Sequence, residues 1–202
     1  GIERGGAVDA KPICNVSDYS IQCDYIQSTG AGKIEMTVSL ENHKKKGEYY
    51  VEVMVLNDKG KEVDRMGKWA EFEKRFATDV NFTRTLAKVE PWDEYNPNLY
   101  TVIIRLKNKD MAIEEMMATK VGFCNIDYSK GILTINGHKV KIRGVVYSDY
   151  TAMMGGFSEK KMREELQMMK DNNINAVRVA YFPAHPAFYD LCDEYGIYVF
   201  NE

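Results

Sequence analysis

From Lys11 to Phe123, apolar and polar residues alternate with a period of two. Ile34, Met36, Val38 and Leu40 interleave with Lys33, Glu35, Thr37 and Ser39. Tyr49, Val51, Val53 and Val55 interleave with Tyr50, Glu52, Met54 and Leu56. Leu99 to Leu106 and Met116 to Phe123 give further runs. Successive side chains of a strand point to opposite faces, so this spacing predicts strands that each bury one face. No helical period intervenes, and the spacing of about seven strands predicts an antiparallel sandwich over residues 11–123. Asn57-Asp58-Lys59-Gly60 reads as a turn between two of them. Lys44-Lys45-Lys46, beside Gly47, reads as a solvated hairpin tip.

Near Asn125 the pattern changes. Asn136-Gly137 supplies the positive φ angles of a type I′ turn and predicts a hairpin across Ile132–Val146. A helix is expected from Ser158, its cap, to Lys170, with Met162, Leu166 and Met169 as its apolar stripe. A strand follows over Ile174–Tyr181. A second helix runs over Pro186–Tyr195, with Phe188, Leu191, Cys192 and Tyr195 on one side and Gly196 closing it. Ile197–Phe200 is the next strand. Strand, helix, strand, helix, strand demands parallel strands with crossover helices. A (β/α)8 barrel of such units takes about 250 residues, and residues 124–202 hold about a third of that. The expected fold is therefore a β-sandwich followed by the first third of a (β/α)8 TIM barrel, a section of a larger protein. Residues 1–10, short and Gly-rich, read as the tail of something preceding.

Composition narrows the function classes. A formal charge of -3 leaves no electrostatic footprint for nucleic acid. No apolar stretch approaches the ~20 residues of a membrane helix. No signal peptide is visible, which leaves the compartment open between cytoplasm and periplasm. Cys14, Cys23, Cys124 and Cys192 have neither C-x-x-C nor zinc spacing and read as free, mostly buried thiols; spacing gives a Cys14–Cys23 disulfide no support.

In a parallel barrel, working residues stand at the C-terminal ends of strands. Three such ends are visible: Arg143 to Tyr150, Arg178 to His185, and Asn201-Glu202. Arg178 is the sharpest candidate. A guanidinium in a buried strand needs a carboxylate, either a catalytic one that it keeps ionised or a structural partner. His185 reads either as a substrate contact or as a helix-entry histidine bonded to backbone. Asp149 and Glu202 read either as a carboxylate pair or as separate ligand positioners and caps.

Several stretches together resemble glycoside hydrolase family 2, the family of β-galactosidases and β-glucuronidases. They are Arg143-Gly144-Val145, Met168 to Arg178, Tyr181-Phe182-Pro183-Ala184-His185-Pro186, and Phe188 to Val199. Trp92, Pro97-Asn98-Leu99-Tyr100 and Lys120-Val121-Gly122-Phe123 are similar to the end of that family's immunoglobulin-like middle domain, and Gly1-Ile2-Glu3-Arg4 to the end of its N-terminal sugar-binding sandwich.

The resemblance implies a retaining exo-glycosidase acting on a β-glycoside, with two glutamates about 5 Å apart as acid/base and nucleophile. In the family these follow the fourth and seventh barrel strands, beyond residue 202. Asn201-Glu202 resembles an earlier Asp-Glu position, so Glu202 is not the acid/base. Arg178 resembles the arginine that hydrogen-bonds the nucleophile. Arg178, Tyr181, His185, Asp149 and Glu202 are thus expected to support the site, with no catalytic residue within this section. No cofactor is expected here; a divalent cation such as magnesium would be held mostly by residues beyond 202.

Val146-Tyr147-Ser148-Asp149-Tyr150 departs from the family's Asn followed by His-Glu-His, and Ala180-Tyr181-Phe182-Pro183 from its Ser-His-Tyr-Pro. Two imidazoles that would touch galactose are missing, which opens the question of the sugar. A section of this kind is expected to be inactive alone. Its bare barrel surfaces should lead either to disorder after about Tyr150 or to self-association. The alternative is a non-catalytic immunoglobulin-like module that binds carbohydrate or protein, with Tyr147, Tyr150, Tyr181 and Phe182 stacking on sugar rings.

Overall fold

A computed structural model describes residues 11–44, 46–73, 76–129, 131–148, 158–180 and 184–201. These form two compact units, one of residues 11–90 with 99–123 and one of 91–98 with 124–201.

The first unit contains β1 (Cys14–Ile26), β2 (Ala31–Asn42), β3 (Gly47–Leu56), β4 (Glu62–Phe72), β5 (Ala77–Leu86), β6 (Tyr100–Asn108) and β7 (Ile113–Val121). They make two antiparallel sheets, in the orders β1-β2-β5 and β4-β3-β6-β7. The alternating apolar residues meet in one core: Ile34, Val38 and Leu40 of β2, Val51, Val53 and Val55 of β3, and Ile104 and Leu106 of β6 are all fully or almost fully buried. Phe123 joins them edge-on to Tyr100. Gly32 is required here, because a Cβ would lie 2.6 Å from the Phe123 ring.

Two local expectations change. The lysine run is not a hairpin tip. Both edges of β2 are taken by β1 and β5, so the chain leaves Asn42 for the opposite sheet. Buried Asn42 braces this crossing, donating from Nδ2 to Lys46 O (3.0 Å) and accepting from Lys44 N (3.1 Å). The outer face of β3 is also covered. Glu52 is only 5% exposed, because Lys107 (2.9 Å), Arg65 (3.3 Å) and Arg105 (3.4 Å) close over its carboxylate. Cys14 and Cys23 are free. They lie nine positions apart on one extended strand, roughly 30 Å, so no disulfide can join them.

The second unit contains β8 (Ile126–Asp127), β9 (Thr134–Ile135), β10 (His138–Lys139), β11 (Gly144–Tyr147), α1 (Glu159–Asp171), β12 (Ala176–Val179), α2 (Pro186–Tyr195) and β13 (Tyr198–Asn201). β10-β9-β8 is a small antiparallel sheet; β11-β12-β13 is parallel. Asn136 (φ 50°) and Gly137 (φ 80°) make the turn as expected. The hairpin is shorter than Ile132–Val146, however. Arg143 donates its N–H to Asn175 Oδ1 (2.7 Å) and its carbonyl accepts from Asn175 N, which turns the chain into parallel pairing with β12.

Ser158 caps α1, and Gly196 (φ 69°) ends α2 with its N–H on Cys192 O. Both helices pack on one side of the parallel sheet, where Leu166, Val177, Phe188 and Cys192 are fully buried.

Candidate functional site

Register decides what faces the other side of that sheet. Val146, Arg178 and Phe200 are lateral neighbours across β11, β12 and β13, and Gly144, Ala176 and Tyr198 form the row beneath. Alternation puts both rows opposite the helices, since Val145, Val177 and Val199 between them pack into the helix-side cluster. The upper row is open: Val146 is 58% and Phe200 49% exposed, and Arg178 is exposed as well. They line a cleft of about 660 Å³ together with Ile142, Ala176 and Asn201. It is a largely apolar trough along the open face of the parallel strands, with the Arg178 guanidinium in its lining.

The sequence placed Arg178 within a buried strand. Its strand is buried on the helix side, but its own side chain projects from the open face. Val146 and Phe200 are its lateral register partners, so the guanidinium lies on the same open face as two apolar side chains.

His185 stands at the start of α2. Its Nδ1 accepts from Ala187 N (3.2 Å) and its carbonyl accepts from Phe188 N (2.8 Å), so it caps the helix through Nδ1. Tyr147 faces the helices and stacks on Phe188 with centroids 4.0 Å apart and planes 7° apart. An odd-numbered residue of β11 points away from the cleft, which takes Tyr147 out of any sugar platform there. Asp149, Tyr181 and Glu202 lie outside the described residues, as do Tyr150 and Phe182. The structure thus brings Arg178 to the cleft and His185 to a helix cap.

Residues that sequence reasoning had not singled out also shape this end. Tyr189 Oη donates to Asn201 Oδ1 at 3.2 Å, tying α2 to the end of β13. Ser148, next above Val146, has a buried hydroxyl oxygen with no hydrogen-bond partner among the described residues. At the opposite, N-terminal ends of the strands, Glu94 is 7% exposed and receives Arg143 Nη2 at 2.9 Å. Lys170 donates to Glu94 O at 2.6 Å. Burial pushes the Lys170 ammonium below the usual lysine value, against the pull of the Glu94 carboxylate. Burial likewise pushes the Cys192 thiol up to about 12, so it is a packing group rather than a nucleophile. Among the described residues, no cluster of three or more His, Cys, Asp and Glu side chains is placed to hold a metal ion. No helix among them is long and apolar enough to cross a membrane.

An immunoglobulin-like sandwich followed by parallel strand-helix units with an arginine at a strand mouth defines a class of multidomain barrel protein. Comparison with known proteins makes the class specific. Residues 14–123 match the model of "Glycosyl hydrolases family 2", and residues 126–202 match that of "Glycosyl hydrolases family 2, TIM barrel domain". The chain belongs to glycosyl hydrolase family 2.

A β-galactosidase of Alteromonas mediterranea is 38% identical over 154 residues, 75% of this chain and 14% of that protein. A β-galactosidase of Priestia megaterium is 28% identical over the whole chain and 20% of its own length. The chain thus spans a fifth or less of these relatives. Among solved structures, a family 2 member from Bacteroides cellulosilyticus superposes with a TM-score of 0.85 at 18% identity, over 94% of this chain and 26% of its own. A β-glucuronidase from Parabacteroides merdae gives 0.78 at 22%, over 93% and 23%. At these identities the two structures speak to the fold alone.

Proposed function

We propose that the whole protein carrying this chain is a retaining exo-glycosidase that hydrolyses β-linked, β-galactoside-like substrates. This chain supplies its middle sandwich and the first strands of its catalytic barrel. The observation that carries the reading is Arg178, on the open face of three parallel strands in a largely apolar cleft, in a chain whose barrel residues match the family's TIM barrel model.

In a retaining mechanism one carboxylate attacks the anomeric carbon while a second, about 5 Å away, protonates the departing oxygen and later activates water. Arg178 has the placement to hold the attacking carboxylate ionised and oriented, since a nearby guanidinium favours the charged form. Val146 and Phe200 keep its surroundings apolar, which strengthens that interaction. Both glutamates belong outside this chain, so the chain by itself is inactive. A divalent cation, if the whole protein binds one, would be held mainly by residues outside this chain too.

The choice of sugar rests on the departures from the β-galactosidase pattern in the stretches Val146 to Tyr150 and Ala180 to Pro183. β-Galactosidase relatives support a galactoside; the loss of two imidazoles supports a different substituent pattern on the ring.

Proton NMR of the whole protein acting on 4-nitrophenyl β-galactoside and β-glucuronide tests the reading. The first-formed sugar should be the β anomer, and Arg178→Ala should lower kcat/KM by roughly 10²–10³-fold, on the scale of losing a preorganised charge at a reacting centre. An α anomer formed first, or no hydrolysis of any aryl glycoside, contradicts it.

A further inference from the structure

We propose that residues 91–98 are a built-in clamp that sets the register of the first three barrel strands. In sequence they lie between β5 and β6, inside the sandwich; in space they pack with residues 124–201. The inference concerns the fold and stands whatever sugar the whole protein takes.

The segment reaches the N-terminal end of every parallel strand. For β13, Trp92 donates its indole N–H to Asp193 O (2.8 Å) and sets its ring edge-on to Tyr198, centroids 5.6 Å apart. For β11, the Glu94 carboxylate accepts from Arg143, the residue just before the strand. For β12, Arg143 passes the constraint on: its N–H donates to Asn175 Oδ1, while Asn175 Nδ2 donates to Lys141 O (3.0 Å). Arg143 Nε also donates to Asn173 O. Lys170 anchors the end of α1 to Glu94 O, and Asn136 Nδ2 ties the hairpin to Trp92 O (3.0 Å).

Two features make seating all-or-none. Glu94 is buried, and a buried carboxylate stripped of its cation costs several kcal/mol, so Glu94 and Arg143 must enter together. Gly196 also leaves no slack. It sits at φ 69°, and a Cβ there would lie 2.8 Å from Glu94 O. Seated in this way, the clamp forbids slippage. A one-residue slip in β12 would turn Arg178 toward the helices and Val177 toward the cleft.

The test is hydrogen exchange followed by mass spectrometry on the whole protein, comparing wild type with Trp92→Ala and Glu94→Ala. Exchange in peptides covering 144–147, 176–179 and 198–201 should quicken roughly 10- to 100-fold, while 31–42 and 100–108 in the sandwich keep their protection. If either alanine variant yields no soluble protein, Glu94→Gln, which keeps the size and loses the charge, is read by the same criterion. Unchanged protection in the barrel strands overturns the clamp. So does a loss spread equally over sandwich and barrel, because the effect would then be global rather than a matter of strand register.

Discussion

The sandwich and the barrel strands bury their apolar residues by opposite rules. In the sandwich each sheet presents one apolar face, and the two faces cover each other; Leu40, Val53 and Ile104 disappear into a shared core. In the barrel unit one sheet has two apolar faces. Helices cover Val177 and Val179, whereas Val146 and Phe200 stay open around Arg178. The difference teaches that a module with two sheets can bury its main apolar faces against each other, even while side chains such as Trp69 and Met116 stay exposed on its outside. A working module shows itself by apolar surface left uncovered, with a charge set in its middle.

Truncations test this contrast at its strongest. Phe188→Ala beneath the parallel sheet should cost about 3–5 kcal/mol and Ile104→Ala in the sandwich about 2–5, both measured by urea unfolding. Two transitions, each shifted by its own variant alone, would sharpen the division; a single transition shifted equally by both would break it.

Glu52 offers a smaller test confined to the sandwich. Burial alone would raise its carboxyl, but the Lys107 hydrogen bond and charge, with Arg65 and Arg105, outweigh burial and hold it below the ordinary value of 4.5. A group depressed in the folded state gives stability that is present above its unfolded value and lost as pH falls through its folded one. The sandwich should therefore weaken as pH drops below 4.5, and Glu52→Gln should flatten that part of the stability profile. A profile unchanged by the substitution would show the cluster to be inert.

Phe200→Ala, on the open face, should cost about 0.5 kcal/mol or less in this chain, the ordinary price of a surface change. If further strands close over that face in the whole protein, as the proposed function requires, about 3–5 kcal/mol is expected there. Equal small costs in both would mean that the face stays open. Smallest of all, Lys160→Ala removes an exposed pair with Glu164 at 3.9 Å and should change thermal stability by about 0.3 kcal/mol, the scale of such helix pairs.

Much of the architecture was written in local periodicity. Period two gave seven strands, and the stripes of α1 and α2 gave both helices to within a residue or two at each end. What escaped depended on distant partners. Nothing local to Lys44 to Lys46 says that β2 has both edges occupied. Glu52 looks like a solvent-facing residue until Arg65, Arg105 and Lys107 arrive from β4 and β6. Trp92 bonds a carbonyl 101 positions away, so the clamp has no periodic signature at all. Of the site, Arg178 was legible because a charge inside an apolar run is conspicuous. The cap made by His185 was legible only as one of two readings, since an imidazole before Pro186 fits either.

Aryl β-glycoside hydrolysis, measured side by side for the whole protein and for this chain alone, bears most directly on the account. Release of aglycone by the whole protein and none by this chain is the expected result. Steady turnover by this chain alone, or none by the whole protein on any aryl β-glycoside, would contradict it.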